Sequence, residues 1–380
     1  MGTETQLKEQ LDLADDNTAS FSTGDGASHR GLEKSQFSRF KLLSGCAILI
    51  LFAVSACFSQ FLSPYDYRDQ VKKEPEAPPS KLHFRDTAGN FHFRPFIYAS
   101  KLVDPLSRRY EEYTVRKFPI SLLTRGNPYR LFGIVNTNIH LFGVEAGEGD
   151  VPPRINLLGT DELGRDRFSR LLAASRFSLV VSPIGAILAA SLGVLIGCLA
   201  GYSGRVLDSF LMRIADAMMA LPILVLILAA RAAFPLNLPP IRAASLVIII
   251  FVLAGWAEMA RLTRGQVLSL RNREFVIAAI SMGASNTRVL FRHILPNSMR
   301  PLMLQFLMTL PAFLLTETAL SYLGVGLQEP EPSWGNMLTA ASDLNQLRSH
   351  PLLLLSPAIC IFLFVLGIRF LSDVVRDRGK

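Results

Sequence analysis

The chain has 380 residues, half of them hydrophobic, with 39 Lys and Arg against 31 Asp and Glu. Its mean hydropathy of +0.31 excludes an average soluble domain. The net charge of +8 invites a nucleic-acid reading, but the arginines cluster beside apolar runs and form no basic face interleaved with aromatics. They read as topology determinants, and no nucleic-acid partner is expected.

Residues 1–36 are polar, without apolar periodicity, and are expected as a disordered cytoplasmic tail. Crossing a ~30 Å hydrocarbon core takes ~20 apolar residues. Six runs qualify: about 42–62, 177–200, 214–234, 243–260, 300–323 and 352–371. Arg213, Asp216 and Glu317 interrupt the third and fifth. Val54-Ser55-Ala56-Cys57 resembles a lipoprotein cleavage box, but the leader would be too long and the apolar run continues through Phe58 and Phe61. Residues 37–62 are therefore expected as an uncleaved first transmembrane helix. Cys46, Cys57, Cys198 and Cys360 fall inside the runs without metal spacing and are expected to pack as small apolar residues.

Residues 63–158 are too polar to be membrane-embedded and are expected as a small β-rich extracytoplasmic insertion. Leu82–Arg85 and Phe91–Arg94 alternate around Asp86–Asn90, and Arg130–Val135 and Ile139–Val144 alternate around Asn136-Thr137-Asn138. His83, His92 and His140 each lie on an alternating strand and are expected to be solvated or packed, with no metal bound. Further on, Phe168, Leu171, Leu172 and Ser175 recur at i, i+3, i+4, i+7, with Arg167 and Arg170 elsewhere around the helix. This predicts an amphipathic interfacial helix over 159–176, leading into a five-span core over 177–375.

Charge sets the orientation. Arg261, Arg264, Arg271, Arg273, Arg288, Arg292 and Arg300 crowd one loop, and Arg369, Arg376, Arg378 and Lys380 crowd the C-terminus. The positive-inside rule places both termini and the 261–299 loop in the cytoplasm. Arg165, Arg167, Arg170 and Arg176 run against it. The expected fold class is thus an all-α polytopic membrane protein of six transmembrane helices with a small β-containing extracytoplasmic insertion.

Glu274–Pro296 (EFVIAAISMGASNTRVLFRHILP) reads as helix, sharp turn, helix. Ala278 and Ala279 keep the first helix flat, and Gly283 supplies the φ > 0 position that ends it. Ser285 or Asn286 caps the second helix, and Pro296 is expected to stop it. Flat surfaces of small residues let another backbone approach closely.

This stretch resembles the "EAA" loop of permease subunits in bacterial ATP-binding-cassette (ABC) importers. The matching residues are Ile277-Ala278-Ala279, Gly283, His293 and Leu295-Pro296, with Ile277 in place of the acid and His293 in place of an apolar residue. The HILP ending is similar to the dipeptide/oligopeptide/nickel branch. So are LGTDELGRD at 158–166, LSYLGVG at 320–326 and PSWG at 332–335; the last is expected as an outer turn whose aromatic anchors at the interface. The resemblance covers roughly 155–380 well; Asp216 before Leu221-Pro222, and Trp256 with Arg261, match less specifically, as a span-end charge and a belt aromatic would.

The resemblance implies a bacterial inner-membrane protein with four kinds of surrounding: two ABC ATPase subunits, a second homologous permease subunit, an extracytoplasmic substrate-binding protein and the lipid membrane. It implies that Ala278, Ala279, Gly283, Ala284, Ser285, Leu295 and Pro296 form the ATPase-coupling loop, with Arg288 and Arg292 as flanking charges. Arg288 and Arg292, one turn apart, also suit lipid phosphates. The implied cargo is di- or oligopeptides, with nickel, glycosides or opines as alternatives, since the binding protein mainly sets substrate choice.

No G-x-x-x-x-G-K-[ST] loop, His-Glu-x-x-His pattern or Gly-x-Ser-x-Gly elbow is present in the sequence. A non-catalytic subunit without cofactors is expected, with ATP and Mg²⁺ used by its partners. A receptor with an outer sensor domain is the alternative of another class; it calls for a signalling domain that the short tail after Arg369 does not provide. A charge in mid-span costs about 2.5–3.5 kcal/mol on insertion scales. Glu317 is therefore expected either on the translocation path or in a hydrogen bond between packed helices. The insertion is expected to touch the binding protein, which uptake after deletion of 75–150 tests.

Overall fold

The computed structural model describes residues 39–131, 133–144, 152–232, 238–342, 347 and 351–377. The tail expected over 1–36 lies outside them. Among the described residues, five helices are long and apolar enough to cross a membrane: Arg39–Cys57, Arg167–Tyr202, Pro240–Leu270, Asn286–Tyr322 and Leu355–Asp377. We label Arg39–Cys57 α1; a short α2 (Ser59–Leu62) follows it. The sheet strands are β1 (His83–Arg85), β2 (Phe91–Asp104), β3 (Arg109–Leu131) and β4 (Val135–Val144). The remaining helices begin with α3 (Arg167–Tyr202), α4 (Arg205–Ala220), α5 (Ile223–Ala232) and α6 (Pro240–Leu270). Then come α7 (Glu274–Ser281), α8 (Asn286–Val289), α9 (Leu295–Tyr322), α10 (Trp334–Leu338) and α11 (Pro351–Asp377).

The third expected span, 214–234, is two helices rather than one. α4 ends at Ala220 and α5 starts at Ile223, because Pro222 has no N–H to continue the first helix. The interfacial helix expected over 159–176 is also not separate. Residues 167–176 are the first turns of the 36-residue α3, and Arg167, Arg170, Leu172 and Ser175 are all buried there. The apolar spacing was read correctly as helical, but neighbouring chain, not the bilayer surface, covers it.

α3 and α6 form the closest seam. Gly193, Gly197 and Gly201 recur every fourth residue on one face of α3. A Cβ at Gly193 would lie 2.6 Å from the Trp256 carbonyl oxygen, and one at Gly201 2.7 Å from Val267 Cβ. At Gly197 it would collide with the Ala260 carbonyl. In a membrane, where lipid is as apolar as leucine, such small-residue stripes let helices approach and gain dispersion contacts.

Around this seam, Phe251 stacks on Phe313 of α9 with ring centroids 4.3 Å apart. Phe52 of α1 meets Trp334 and Phe364 edge-on at 5.7 and 6.1 Å. Trp334 is fully buried there, so it is core rather than the interface anchor expected of PSWG. Trp256 is likewise buried beside Ala215, Ala257 and Ala260, not in an aromatic belt. Lys41 at the start of α1 pairs with Asp373 near the end of α11 at 3.0 Å, so the start of α1 and the end of α11 lie on one side of the bundle.

The insertion is a four-stranded antiparallel sheet in the order β1-β2-β3-β4. Ile97, Phe118 and Ile155 form its buried core. The first expected hairpin is present, with β1 and β2 flanking Asp86–Asn90. The second turns earlier than expected: β3 reaches Leu131, Gly133 takes φ +73, and Asn136-Thr137-Asn138 lie within β4. Glycine in the left-handed region is the stronger turn signal, and the Asn-rich triplet misdirected the reading. His83 faces Glu112 at 3.2 Å, His92 faces Asp86 at 3.1 Å, and His140 is buried against backbone carbonyls.

Candidate functional site: a helical elbow and a charged outer clamp

α7 ends at Gly283, whose φ of +85 only glycine adopts without strain. The Gly283 amide donates to the Ile280 carbonyl (2.9 Å) and the Ala284 amide to the Ala279 carbonyl (3.1 Å). This paired closure satisfies the last carbonyls of the helix. Ser285 then caps α8, its hydroxyl oxygen accepting from the Arg288 amide. The structure thus shows the expected helix, turn, helix, with Ser285 rather than Asn286 as the cap.

Pro296 does not stop the second helix. A five-residue π-helical stretch, Leu290–Ile294, follows α8 and feeds directly into α9, where Pro296 sits in the first turn. Proline is tolerated in a first turn because that N–H has no helical partner anyway, and the wider π-helical turn absorbs the local misfit. The elbow is therefore continuous with the fifth span. Residues 261–270 of the expected loop belong to α6.

One face of the elbow is sealed. Val276, Ala279, Val289 and Ile294 are buried against Cys198 of α3 and Val267 of α6, with Ala284 and Leu295 half-buried at the edge. Ala279 is hence a packing residue and contributes nothing to an exposed surface. Arg271 donates to the Gly201 carbonyl (3.2 Å), and Arg300 donates to the Val375 carbonyl (3.1 Å), tying the elbow region to α3 and α11.

The other face is open. Ala278, Gly283, Ser285, Arg288, Arg292 and Pro296 are exposed. Beside them stand Phe275, Ile277 and Ile280, each about half exposed, and Met282 at 82%. Phe275, Ile280 and Met282 were not singled out from the sequence. Their apolar character reads as ordinary helix core until Gly283 turns the chain and leaves them outside. Clustered exposed apolar residues beside a rigid joint mark an interaction surface.

At the other end of the bundle, Arg165 and Arg170, two of the arginines that run against the charge rule, are ion-paired. Arg165 pairs with Asp161 (2.7 Å) and Glu329 (2.6 Å), and Arg170 pairs with Glu329 (2.7 Å). Arg167 donates to the Thr160 carbonyl at 3.1 Å. These contacts clamp residues 329–330 to the start of α3.

Asp166 caps α3, its Oδ2 accepting from the Ser169 amide (2.8 Å), while Oδ1 is buried without a hydrogen-bond partner among the described residues. Burial pushes its pKa up to about 6. For a carboxyl raised above its free value, the folding penalty is full above about pH 6 and absent below ~4. Amide exchange at the start of α3 should therefore slow, after correction for intrinsic rates, as pH falls from 7 to 5. Asp166→Asn should abolish that dependence and keep the cap.

Glu317 is 1% exposed and accepts from Ser178 Oγ on α3 (3.0 Å) and Ser321 Oγ (2.7 Å). It thus makes a hydrogen bond between packed helices, α9 to α3. Asp216 and Arg261, which the sequence left as separate weak matches, form an ion pair across α4 and α6. Asp208 and Arg264 form a second pair on the same seam at 2.6 Å.

A bundle of membrane-length helices with an elbow between two spans, one face packed and the other open, is an architecture that suits a membrane transport subunit. Residues 193–378 match the family model described as "Binding-protein-dependent transport system inner membrane component". The chain is 39% identical to the oligopeptide transport system permease protein OppC of Bacillus subtilis (strain 168) over 231 residues, 60% of this chain and 72% of that protein. It is 36% identical to the dipeptide transport system permease protein DppC of the same organism, covering 60% of this chain and 70% of that one. Among solved structures, the methionine ABC transporter MetNI in an inward-facing conformation has a TM-score of 0.46 at 14% identity, covering 55% of this chain and 95% of that one. The chain belongs to the family of binding-protein-dependent transport system inner membrane components, and is thus a multi-pass membrane protein that works with a binding protein.

Proposed function

We propose that this chain is the membrane-spanning permease subunit of an ATP-driven importer of di- or oligopeptides. Relatives named as peptide permeases support the cargo. A second homologous permease stands beside it, two ABC ATPase subunits dock below, and a binding protein delivers cargo from outside. Both termini and the elbow face the cytoplasm, in accord with the Lys41–Asp373 pair that joins the start of α1 to the end of α11. The chain itself performs no catalysis and binds no nucleotide; closure of the ATPase dimer pushes on the elbow.

The observation that carries this reading is the two-faced elbow, sealed by Val276, Ala279, Val289 and Ile294 and open at Phe275, Ile277, Ile280 and Met282. A push on the open face is transmitted to α3 and α6 because the sealed face is packed against them, and to α9 because the backbone runs straight on. This is a rigid-body relay between two states. With Ile277 where the family has an acid, the contact with the ATPase is apolar rather than ionic, and Arg288 and Arg292 flank it.

Met282→Cys in an otherwise cysteine-free chain should crosslink to the ATPase subunit within the assembled complex, with a yield that changes on adding ATP. Absence of any crosslink to an ATPase from 278, 282 and 285 alike would reject the reading. Competition of labelled-dipeptide uptake by unlabelled peptides, with Ni²⁺ without effect, is the expected cargo result.

A further inference from the structure

At the end of the bundle opposite the elbow, the insertion meets the outer ends of α3 and α6 around a cavity of about 400 Å³. This size lies within the range of pockets that enclose small organic ligands. The sheet is built toward it. The β3–β4 ladder is irregular between Arg125 and Tyr129, the kind of bulge that re-aims side chains, and Asn127 and Tyr129 line the cavity. His140, also in the lining, is buried with Nδ1 2.6 Å from the Ser63 carbonyl oxygen and Nε2 3.0 Å from that of Asn127. These contacts weld the sheet to the chain leaving α2, so the wall is fixed.

Two charges in the lining are unspent. Arg176 of α3 is exposed and makes no ion pair or hydrogen bond among the described residues, unlike Arg165 and Arg170 above it. Asp66 is exposed and makes no ion pair among the described residues; one of its oxygens accepts the Arg68 amide at 2.9 Å. Glu331, also in the lining, is by contrast engaged by Tyr67 (2.6 Å) and Arg68. Val180 and Ile241 give the same cavity an exposed apolar side.

An open cation, an open anion and an apolar wall in one cavity complement a zwitterion with apolar side chains. A guanidinium grips a carboxylate through two parallel N–H donors, and a carboxylate accepts from an ammonium group. The phosphate of an anionic phospholipid would satisfy Arg176 but leave Asp66 without a cation. We propose that this cavity lodges short zwitterionic peptides on the outer side of the chain, with Arg176 holding the carboxylate and Asp66 the ammonium group. The proposal rests on the peptide-cargo reading above and gives the insertion a role, as one wall of a cargo site.

The test uses the complete complex, with its binding protein, in proteoliposomes. Uptake of the free dipeptide alanyl-phenylalanine is compared with that of its C-terminal amide. The binding protein is the same throughout, so a change in the acid-to-amide ratio isolates this chain. Arg176→Gln should lower low-concentration uptake of the free acid about tenfold, the scale of one lost charge-assisted contact, and leave the amide unchanged. Arg176→Lys should be intermediate, and Ile241→Trp, which fills the cavity without removing a charge, should lower both. A diazirine-bearing dipeptide should label residues near 127–129 or 241–244. Normal peptide uptake with an unaltered ratio in Arg176→Gln, or labelling of this cavity by a photoactivatable phospholipid instead, overturns the cavity assignment alone. Failure of the unmodified complex to take up either peptide overturns the cargo reading and this proposal with it.

Discussion

Gly197→Leu is expected to yield almost no folded protein. Its new Cβ would sit against the Ala260 carbonyl and 2.6 Å from Thr263 Cβ, and the first of these is backbone that no rotamer change can move. Overpacking a well-packed site costs about 1–3 kcal/mol where side chains can yield, and more where they cannot. Forcing α3 and α6 apart would also open the flanking Gly193 and Gly201 contacts, so the loss spreads along the seam. Gly265→Ala is the matched control. It lies on α6 with nothing within 4 Å of an added Cβ, and helix propensity favours alanine there. Thermal unfolding in detergent, followed by size-exclusion profiles, should separate the two. A Gly197→Leu protein as stable as the parent would mean that the helices do not pack at this distance.

Gly283→Val is expected to leave the protein inserted but to reduce ATP-driven uptake at least tenfold. A non-glycine residue in the left-handed region costs roughly 1–2 kcal/mol, and a β-branched one is the least tolerant. That is enough to unwind the turn, because the two hydrogen bonds that close α7 depend on it, but not enough to unfold a bundle held elsewhere. Since nothing lies within 4 Å of an added Cβ, the effect is conformational and not steric crowding. Gly283→Asn should therefore recover much of the uptake, as asparagine enters this region more readily. Equal impairment by Val and Asn would point to loss of partner contact instead of loss of the turn.

The elbow was legible in the sequence because its signals are local. A glycine between two short apolar helices, a serine at the cap and a cluster of alanines need no tertiary information. Which of those residues stay exposed was not legible. Ala278 and Ala279 are neighbours, yet one is exposed and the other is buried, since packing on Val267 and Cys198 selects the face. Met282 looked like any apolar residue until the turn placed it outside. The outer arginines misled for the opposite reason. Glu329, which pairs with both Arg165 and Arg170, lies far along the chain and reaches them only by folding, so charge counting along the chain had no way to cancel them.

Composition and apolar run length alone determined a polytopic helical membrane protein with a β insertion, because solvation by lipid or water acts residue by residue. The resemblance of Glu274–Pro296 and the other quoted motifs to known permeases pointed to the family, which the relatives then showed. Tertiary structure alone decided that residues 167–176 are buried within a long helix and that Trp334 is core. It also decided that Glu317 packs against Ser178 and that Arg176 stays unpaired among the described residues, beside a cavity. Each of these depends on which distant segment arrives at a few ångströms, and a one-dimensional pattern carries no such distances.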